Sequence, residues 1–522
     1  MTQRVTSRPP EDDKVKGDTL FVNEFNELNS VINDNASDAN PRLSSLTNDI
    51  SNLSPRVDTM VDNNFTMVSY DTINLPIIAN DGEVSYDTSI NSIVYHQNGR
   101  WYSANDDNDI SIKVALRLKI KTDIIANSAN DQFLLPLISG NSYDFQIDWG
   151  DGTPLEHITS ATSLTPHTFT QGPGEYILNI IGEVNGFKFD PYVVDDIILD
   201  DALKIIEILD LGNTPNYNRL KFGSSANSAF ANCSNMANNS IVGPDTSNTT
   251  DFSLFYYNCS NITSIPYMDV SQGTNYSGMF KQCGKLSNIP SSLVFGKATN
   301  VTEMFSRCSD LVEFPYIDTE LCESFYEFAH NCPTVREIPH YDTSSCTSFN
   351  RAFRVCGATN LPNFDTSKVT DFSFAFEIMG KLLSFPSEID TSKGEIFEYC
   401  WSKCGELTSF PSLNVQSGTN FQGAWLSCDK LADFPILNFD SGDNFINAWQ
   451  NCNLSAQSIE NIFVSLVNTN KTGLVTSVSG GTNESKQNWT SLALSSYEIL
   501  VANVGVPIHG TTGRGWGIQH NS

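Results

Sequence analysis

Apolar and polar positions recur with a period near 24 residues between about residues 226 and 452. The clearest marker is a cysteine, which returns after steps of 24 to 26 residues and once after a step of 48. We expect Gly380 to fill the skipped cysteine position, so that one unit occurs ten times. A fixed period in this range is typical of a solenoid, whose units bury apolar side chains against each other. The nine cysteines are Cys233, Cys259, Cys283, Cys308, Cys332, Cys356, Cys404, Cys428 and Cys452.

The neighbours of each cysteine predict the local structure of a unit. A large aromatic residue stands three residues before it in most units, and another apolar residue seven before it. Spacings of four and three place these side chains on one helical face, so we expect a short helix or helical turn. An aliphatic residue three positions after the cysteine and a proline seven after it predict a brief strand. Asp-Thr-Ser sequences, as at Asp342, Asp365 and Asp390, then predict a turn.

All twelve cysteines lie between Cys233 and Cys452. We interpret the nine that share the period as small hydrophobic side chains that fill one recurring buried niche. Stacked units would bring equivalent Cα atoms within disulfide range, but parallel Cβ directions and an odd count disfavour bridges. Cys400 and Cys404, with a C-x3-C spacing, give only a weak zinc signal. The cysteines outside the period are Cys322, Cys346 and Cys400.

Two strings carry a family resemblance. FDTSKVTDFSFAF (364 to 376) and MFSRCSDLVEFP (304 to 315) resemble the BspA-like leucine-rich repeats of bacterial surface proteins. The resemblance spans roughly 226 to 452. It implies a surface-exposed binding solenoid of the leucine-rich-repeat type and not a catalyst.

A different pattern precedes the repeats. Alternating apolar residues lead into Asp148-Trp-Gly-Asp-Gly152, and His167-Thr-Phe169 follows, which predicts a β-hairpin and a partner strand. This pair resembles the signature of the PKD-type β-sandwich, a spacer and adhesion module of surface proteins. Asp148 and Asp151 are interpreted as turn formers rather than as a catalytic acid and base.

The N-terminal part has a third character. Apolar residues from Phe21 to Ile32 fit one helix face, and the run from Leu43 to Met60 follows a heptad pattern broken by Pro55. This pattern predicts either a short trimeric coiled coil or an amphipathic helix on the body of the chain. Residues 84 to 103 resemble small β-repeats of phage tail-fibre and other virion proteins, and Asn98-Gly99 predicts a hairpin.

Together these patterns predict a mainly β fold with short helices. An N-terminal helical and β attachment region precedes a PKD-like β-sandwich, which precedes a leucine-rich-repeat-like solenoid. The predicted domains are an attachment and coiled-coil region at 1–75, a β fibre-type module at 76–110, the PKD-like sandwich at 111–190, the solenoid at 191–453 and a C-terminal cap at 454–522.

Charge and motifs narrow the function. Thirty Lys and Arg against sixty Asp and Glu give a net charge of -30, which disfavours nucleic acid as a partner. The N-terminus has no secretory apolar segment, and no run approaches a membrane span. None of the seven histidines forms an H-x3-H pair, and no nucleophile elbow or phosphate loop is present. We therefore expect no enzyme activity, no cofactor and no metal.

The leading hypothesis is a phage virion protein, a tail fibre or spike, assembled in the host cytoplasm. Its N-terminal region would dock on other virion proteins, and a homo-oligomer, with a trimer favoured, would present the solenoid to a host glycan or protein. The alternatives are a bacterial cell-surface adhesin with the same repeats and a fibre that decorates the capsid. A glycan depolymerase is the enzymatic alternative, which no paired acid and base supports.

The residue directly after the repeated proline of each unit is expected to project outward from the predicted strand. Tyr267, Tyr316 and His340 stand there, and these residue types stack on sugars or bury at interfaces. We therefore name them as candidate receptor-binding residues, with ordinary exposed repeat positions as the alternative.

Overall fold

The computed structural model describes most of the chain from residue 116 onward and short segments before it. The predicted N-terminal helix face and the heptad run lie outside the described residues. The described residues are 66–69, 83–87, 92–97, 100–103, 116–161, 165–189, 193–194, 197–198, 200–211, 220–238, 243–502, 504, 507–508 and 511–521.

The four short strands that precede residue 116 form a sheet of their own. They are β1 (Thr66–Ser69), β2 (Glu83–Asp87), β3 (Ser92–Gln97) and β4 (Arg100–Ser103), in that spatial order. The first pair is parallel and the other two are antiparallel. The register brings Gln97 opposite Arg100, so the two strands pair as the prediction requires, while the predicted Asn98-Gly99 turn itself lies outside the described residues.

The next part, called the β-module here, comprises residues 116–211. Its strands are β5 (Leu116–Lys121), β6 (Gln132–Phe133), β7 (Ser142–Asp148), β8 (Glu156–Ser160), β9 (His167–Thr168), β10 (Glu175–Asn185), β11 (Val193–Val194), β12 (Ile197–Ile198) and β13 (Ile205–Leu211). Side chains of β7 alternate between exposed and buried, with Tyr143, Phe145 and Ile147 in the core, as a sheet with one covered face requires. A 3-10 turn, Ala202–Lys204, leads into β13.

The main sheet of the β-module continues into the repeats. With β15 (Ala237–Asn238) at its edge, its order is β15-β13-β5-β10-β7-β8, and β14 (Leu220–Lys221) pairs in parallel with β10. β15 belongs to the first repeat unit and pairs in parallel with β13. The first unit is therefore not left with an open edge, because the β-module supplies its backbone partners.

Residues 224–453 form a stack of coils, called the coil stack here. We number its coils one to ten and call the cysteine position of each coil position 0. In coil two the amide N–H groups at positions −7, −5, −3 and −1 donate to carbonyls of coil three, and equivalent bonds recur along the stack. The remaining amides in this stretch close turns within their own coil, as Phe255 N–H does to the carbonyl of Phe252. The four donors in coil two are Phe252, Leu254, Tyr256 and Asn258.

The helical turn predicted before each cysteine is wrong. The segment is a ribbon of overlapping turns, called the turn ribbon here, in which positions −5 and −1 have left-handed backbone, as at Leu254 (φ 57°) and Asn258 (φ 57°). A helix makes its hydrogen bonds within itself, whereas alternate amides here are directed to the next coil. Side chains spaced by four and three residues lie on one side of such a ribbon too, so the spacing alone does not separate the two structures.

The assignment of Gly380 to the skipped cysteine position is also wrong. Met379 occupies position 0 of coil seven and is fully buried, while Gly380 follows it and is exposed. Phe374 and Ile378 have the left-handed φ values of positions −5 and −1, which fixes this phase. The coil steps around Met379 are therefore 23 and 25 residues and not two steps of 24.

The brief strand predicted after each cysteine is reduced to isolated parallel bridges. Ser409 pairs with Asp433, five residues after Cys404 and Cys428. A longer series of bridges joins the residues at position −8 of successive coils. Ile396 pairs with Asn420, and Asn420 pairs in turn with Asn444. The coils are thus joined mainly at single residues and by the turn ribbon.

The segment after the last coil carries the two α-helices among the described residues. They are α1 (Ala456–Asn468), capped by the Ser455 side chain, and α2 (Ser491–Val501), capped by Thr490. β16 (Val475–Val478) pairs in parallel with β19 (Gly517–His520), and β17 (Pro507–Ile508) pairs with β18 (Thr511–Thr512).

This segment closes the end of the coil stack. Thr476 bridges to Phe445, and the Asn483 side chain donates to the carbonyl of Trp449 and accepts from Leu454 N–H. Trp516 packs on Phe445, with ring centroids 5.8 Å apart. Within the described ranges no helix is long and apolar enough to cross a membrane. The chain is mainly β with few short helices, as expected; the finer domain boundaries stay predictions.

Candidate functional site

The interior of the coil stack is filled by repeated side-chain ladders. Seven position-0 cysteines donate their thiol to the position −3 carbonyl of the preceding coil, with Sγ to oxygen distances of 3.0 to 3.3 Å. All twelve cysteines are free and buried, which confirms the interpretation of one recurring buried niche. These donors are Cys259, Cys283, Cys308, Cys332, Cys404, Cys428 and Cys452.

Burial makes these thiols poor nucleophiles. It raises the pKa of every cysteine, to about 12 for Cys428 and to about 11 for Cys356. The thiolate is the reactive form and the metal-binding form, so the ladder is chemically inert at neutral pH. Cys400 and Cys404 follow the same rule, and the described residues contain no group of three or more His, Cys, Asp or Glu that would hold a metal.

A second ladder runs through the predicted Asp-Thr-Ser turns. Asp342 and its equivalents accept the amide N–H two residues later, which confirms the turn prediction. The threonine that follows is buried, and its hydroxyl donates to the Asp or Asn carbonyl of the next coil at 2.5 to 2.8 Å. These threonines are Thr246, Thr319, Thr343, Thr366 and Thr391.

Aromatic rings form the third ladder. Trp401, Trp425 and Trp449 stack with centroids 5.3 Å apart, and a phenylalanine ladder from Phe372 to Phe445 has the same spacing. Because these ladders fill the interior, the side chains that differ between coils lie outside it. A candidate site in the coil stack must therefore be sought on its outer columns.

The three predicted receptor-binding residues lie on one such column. Tyr267 is 56 % exposed, Tyr316 is 72 % exposed, and His340 is exposed, each directly after its proline at position +8. They belong to coils two, four and five, and Ser291 holds the same position in coil three. The structure confirms that they project outward but brings no two of them into contact, so their receptor role stays a prediction.

A second outward set, which the sequence reasoning missed, lies on the turn ribbon. Arg351 at position −5 of coil six has its guanidinium 3.7 Å from the Glu327 carboxylate and 5.0 Å from the centre of the Phe374 ring. Phe374 stacks on Tyr399 of the next coil at 5.3 Å, and the Tyr399 hydroxyl accepts from Gln422. One strip of side chains thus crosses coils five to nine.

A second row of this strip lies at position −2. Arg354 pairs with Glu377 of the next coil and places a guanidinium nitrogen 3.0 Å from Nε2 of His330 in the coil before. Burial lowers the pKa of His330, and the positive charges of Arg354 and Arg307 add to this, against the opposing effect of Glu327. The neutral ring then accepts a hydrogen bond from Arg354 through Nε2.

A sequence signal for this strip exists. Positions −6, −5 and −2 carry small or amide residues in many coils, as Ser277, Gly278 and Gln422 show, but charged and aromatic residues in coils five to eight. The columns that stay constant contain none of these residues, and the columns that change locally mark the strip instead.

The β-module holds two buried polar clusters. Asp148 and Asp151 each accept an amide N–H two residues later, which confirms them as turn formers. Asp151 also accepts from Thr170 N–H, and its second oxygen lies 3.1 Å from His167 Nε2. Burial by itself raises the pKa of Asp151, but the bonds from Thr153, Thr170 and His167 outweigh it and hold the pKa far below its usual range.

The second cluster surrounds Lys204, whose side chain is fully buried. Its ammonium lies 2.7 Å from the carbonyls of Ala129 and Gln132 and 2.7 Å from the Ser128 hydroxyl, with Asp201 at 3.8 Å. Burial lowers the pKa of Lys204, while Asp201 opposes this. Both clusters are saturated by protein groups, so they serve the fold of the β-module.

Comparison with known families bears on the coil stack alone. Residues 224–315 and 319–434 match a family described as "Mycoplasma protein of unknown function, DUF285". The coil stack is similar to DUF285. The two matched segments cover less than half of the chain, and both lie within the coils that carry the thiol, threonine and aromatic ladders. No curated protein matches the chain.

Proposed function

We propose that the chain is a virion structural protein, a tail fibre or spike, whose coil stack recognises a host surface. The observation that carries the proposal is the closed interior. Thiol, threonine and aromatic ladders repeat from coil to coil, and the side chains that differ lie on outer columns. Such a stack displays side chains over a long surface, as repeat proteins that bind macromolecules do.

The finer fold assignments belong to this proposal. The coil stack is proposed to be a leucine-rich-repeat-type solenoid of the BspA-like class, supported by the parallel bridges between coils and by the DUF285 match. Residues 111–190 are proposed to be a PKD-like sandwich. Its support is the contact between the two predicted motifs, in which the Trp149 ring stacks on His167 at 4.2 Å and Asp151 binds Thr170.

The N-terminal region is proposed to dock on other virion proteins as part of a homo-oligomer, with a trimer favoured. Host glycan or protein is the proposed ligand of the coil stack. No enzyme activity or cofactor is part of the proposal, in keeping with the raised pKa of the buried thiols. If the purified chain cleaved a host polysaccharide, the proposal of a non-enzymatic binding protein would have to give way to that of a depolymerase.

Mass spectrometry of purified particles tests the proposal directly. The chain is expected as a stoichiometric component of the particle, and antibody against it is expected to block adsorption. Its absence from particles made by a host that expresses it would overturn the virion assignment. A labelled chain seen on the capsid rather than the tail would select the decoration-fibre alternative.

A bacterial cell-surface adhesin is the second candidate. The match to a family described as a Mycoplasma protein favours it, since that description names a bacterium. Genes for tail or capsid proteins beside this gene would favour the virion assignment. Fractionation of the source cell with the chain on an intact bacterial surface would favour the adhesin.

A further inference from the structure

Coils four to eight carry an unbroken run of charged and aromatic side chains at a backbone position that disfavours them, which Ser228 and Leu254 occupy in coils one and two. Position −5 has φ between 49° and 61° in all ten coils, and Gly278, Gly423 and Asn447 show which residues suit it. Yet Glu303, Glu327, Arg351, Phe374 and Tyr399 occupy it in coils four to eight. A left-handed residue other than Gly or Asn costs about 1 kcal/mol, and such strain collects where a side chain has a function.

The same coils carry the strain at position −1. Val355 (φ 60°) and Ile378 (φ 61°) are β-branched, the residue type that tolerates this backbone least, while coils one, two, five and ten have asparagine there. Both side chains are half-buried and flank the row of Arg351 and Phe374. Strain is thus concentrated in coils six and seven, at the centre of the strip.

The balance of charges on the outer side of the turn ribbon in coils four to eight differs from that of the whole chain. Three acids on this face are neutralised, since Glu303 pairs with Lys281 at 2.6 Å, Glu377 pairs with Arg354, and Glu327 lies beside Arg351, while Glu398 accepts, among the described residues, only from the Asn420 amide. Arg307 and Lys403 at position −1 are exposed, and within the described ranges neither has a carboxylate at ion-pair distance. In a chain with twice as many acids as bases, this face presents uncompensated cations.

The two exposed cations and the aromatic edges lie along the same part of the stack. Arg307 and Lys403, both at position −1, belong to coils four and eight, so that they are about 20 Å apart along the axis at a strand spacing of roughly 4.8 Å. Beside them the stacked rings of Phe374 and Tyr399 turn their edges outward, because each ring face covers a neighbour. The cation spacing is close to the length of two disaccharides in an extended polysaccharide.

We propose that the turn ribbon of coils four to eight binds an acidic polysaccharide whose uronate carboxylates recur regularly along the polymer. Carboxylates of the polymer pair with Arg307 and Lys403, and the sugar rings lie against the edges of Phe374 and Tyr399 and against Val355. Aromatic edges carry partial positive charge and complement the anion. The proposal rests on the proposed surface-recognition function and names the ligand class of that function.

Binding of the full-length chain to polygalacturonate, measured by isothermal titration or biolayer interferometry, tests the proposal. Carboxyl-reduced polygalacturonate is the matched ligand control. The native polymer is expected to bind at least tenfold more tightly at low salt, and the difference is expected to shrink as salt rises. Equal binding of both polymers, or binding of neither, would overturn the proposal.

Variants locate the site. Arg307→Gln with Lys403→Gln is expected to weaken binding about tenfold, at roughly threefold to fivefold for each exposed charge pair. Lys368→Gln with Lys393→Gln removes the same charge from exposed lysines of the Asp-Thr-Ser turns and is expected to leave binding unchanged. Equal losses in both double variants would show nonspecific charge attraction and contradict the site.

A separate readout excludes damage to the fold. Tyr399→Asn places a suitable residue at φ 51°, so it is expected to weaken binding about fivefold without lowering the melting temperature by more than a few degrees. Unchanged binding would contradict the role of the aromatic edges.

Host-cell adsorption measured in parallel separates this ligand proposal from the proposed virion function. Adsorption that persists without polygalacturonate binding rejects only this ligand. Polymer binding by a chain that is absent from particles rejects only the virion assignment.

Discussion

The β-module and the coil stack bury polar groups in opposite ways. The β-module concentrates them in two clusters, where the ionised side chains Asp151 and Lys204 each satisfy several partners. The coil stack spreads them along ladders of neutral donors, and each threonine or thiol makes one short bond to a neighbouring coil. Single substitutions should therefore act strongly in the β-module and weakly in the coil stack, because a buried charge left unpaired costs more than a lost neutral hydrogen bond.

The largest effect is expected for Lys204→Met. The change removes the ammonium from its three carbonyl and hydroxyl partners and leaves the buried Asp201 without its counter-charge. We expect a loss of about 3–5 kcal/mol in the free energy of unfolding, measured by urea denaturation of the full chain. Lys188→Met, at an exposed lysine of the same module, is the control and should change little. Similar small losses in both variants would contradict the expectation that the β-module depends on its buried charges.

Asp151→Asn should have the next largest effect, about 2 kcal/mol at neutral pH, because a charged acceptor of several bonds is lost. The pKa of Asp151 is lowered in the folded state, so its contribution to stability is full above the unfolded pKa of about 4. That contribution is lost as the pH falls below about 4 towards the folded pKa. Urea titrations from pH 7 to pH 2 should therefore show wild type and variant converging at acidic pH; a constant difference would refute the role of the charge.

A single threonine of the ladder is expected to matter less. Thr366→Val keeps the shape of the side chain and removes its 2.7 Å bond to the carbonyl of Asp390, at a cost of about 1 kcal/mol. Thr370→Val removes an exposed hydroxyl whose partner, the Thr347 carbonyl, lies 3.5 Å away, so it should stay within about 0.5 kcal/mol of wild type. The midpoints of chemical denaturation compare the two directly, and equal midpoints would show that the ladder bond carries no stability.

The smallest effect is expected to be a gain, not a loss, in the free energy of unfolding. Val355→Asn introduces at φ 60° the residue found at this position in coils one, two, five and ten, and it should stabilise the coil stack by up to about 1 kcal/mol. Val294→Asn, at an exposed valine without left-handed backbone, is the control and should not stabilise. A lower melting temperature for Val355→Asn would mean that packing of the valine outweighs its strain.

The constant features of the repeat could be predicted from the sequence, and the reason is geometric. Cysteine, threonine and aspartate columns recur because each side chain meets the same neighbour in the next coil, as the thiol of Cys428 meets the carbonyl of Trp401. The helical turn was mispredicted because a turn ribbon shares its spacing with a helix. Gly380 was misassigned because a fixed period of 24 ignored Phe372 and Phe376, whose positions assign the phase to Met379.

The strip on the turn ribbon could not be predicted in the same way. Its residues are scattered over about a hundred positions, and only the stacking of coils brings Arg351 next to Glu327 and Phe374. The strain at Val355 depends on backbone angles that no column of residue types shows. The outward direction of Tyr316 could be predicted, because it needs only the alternation around a proline.

The thiol ladder also determines the chemical surroundings in which the chain can mature. Since all twelve cysteines are free thiols and seven of them donate hydrogen bonds between coils, assembly of the coils needs no oxidant and no disulfide isomerase. A later move into an oxidising medium leaves the shielded thiols without solvent access. One amino-acid choice, repeated along the stack, lets the coils form under reducing conditions and persist in air.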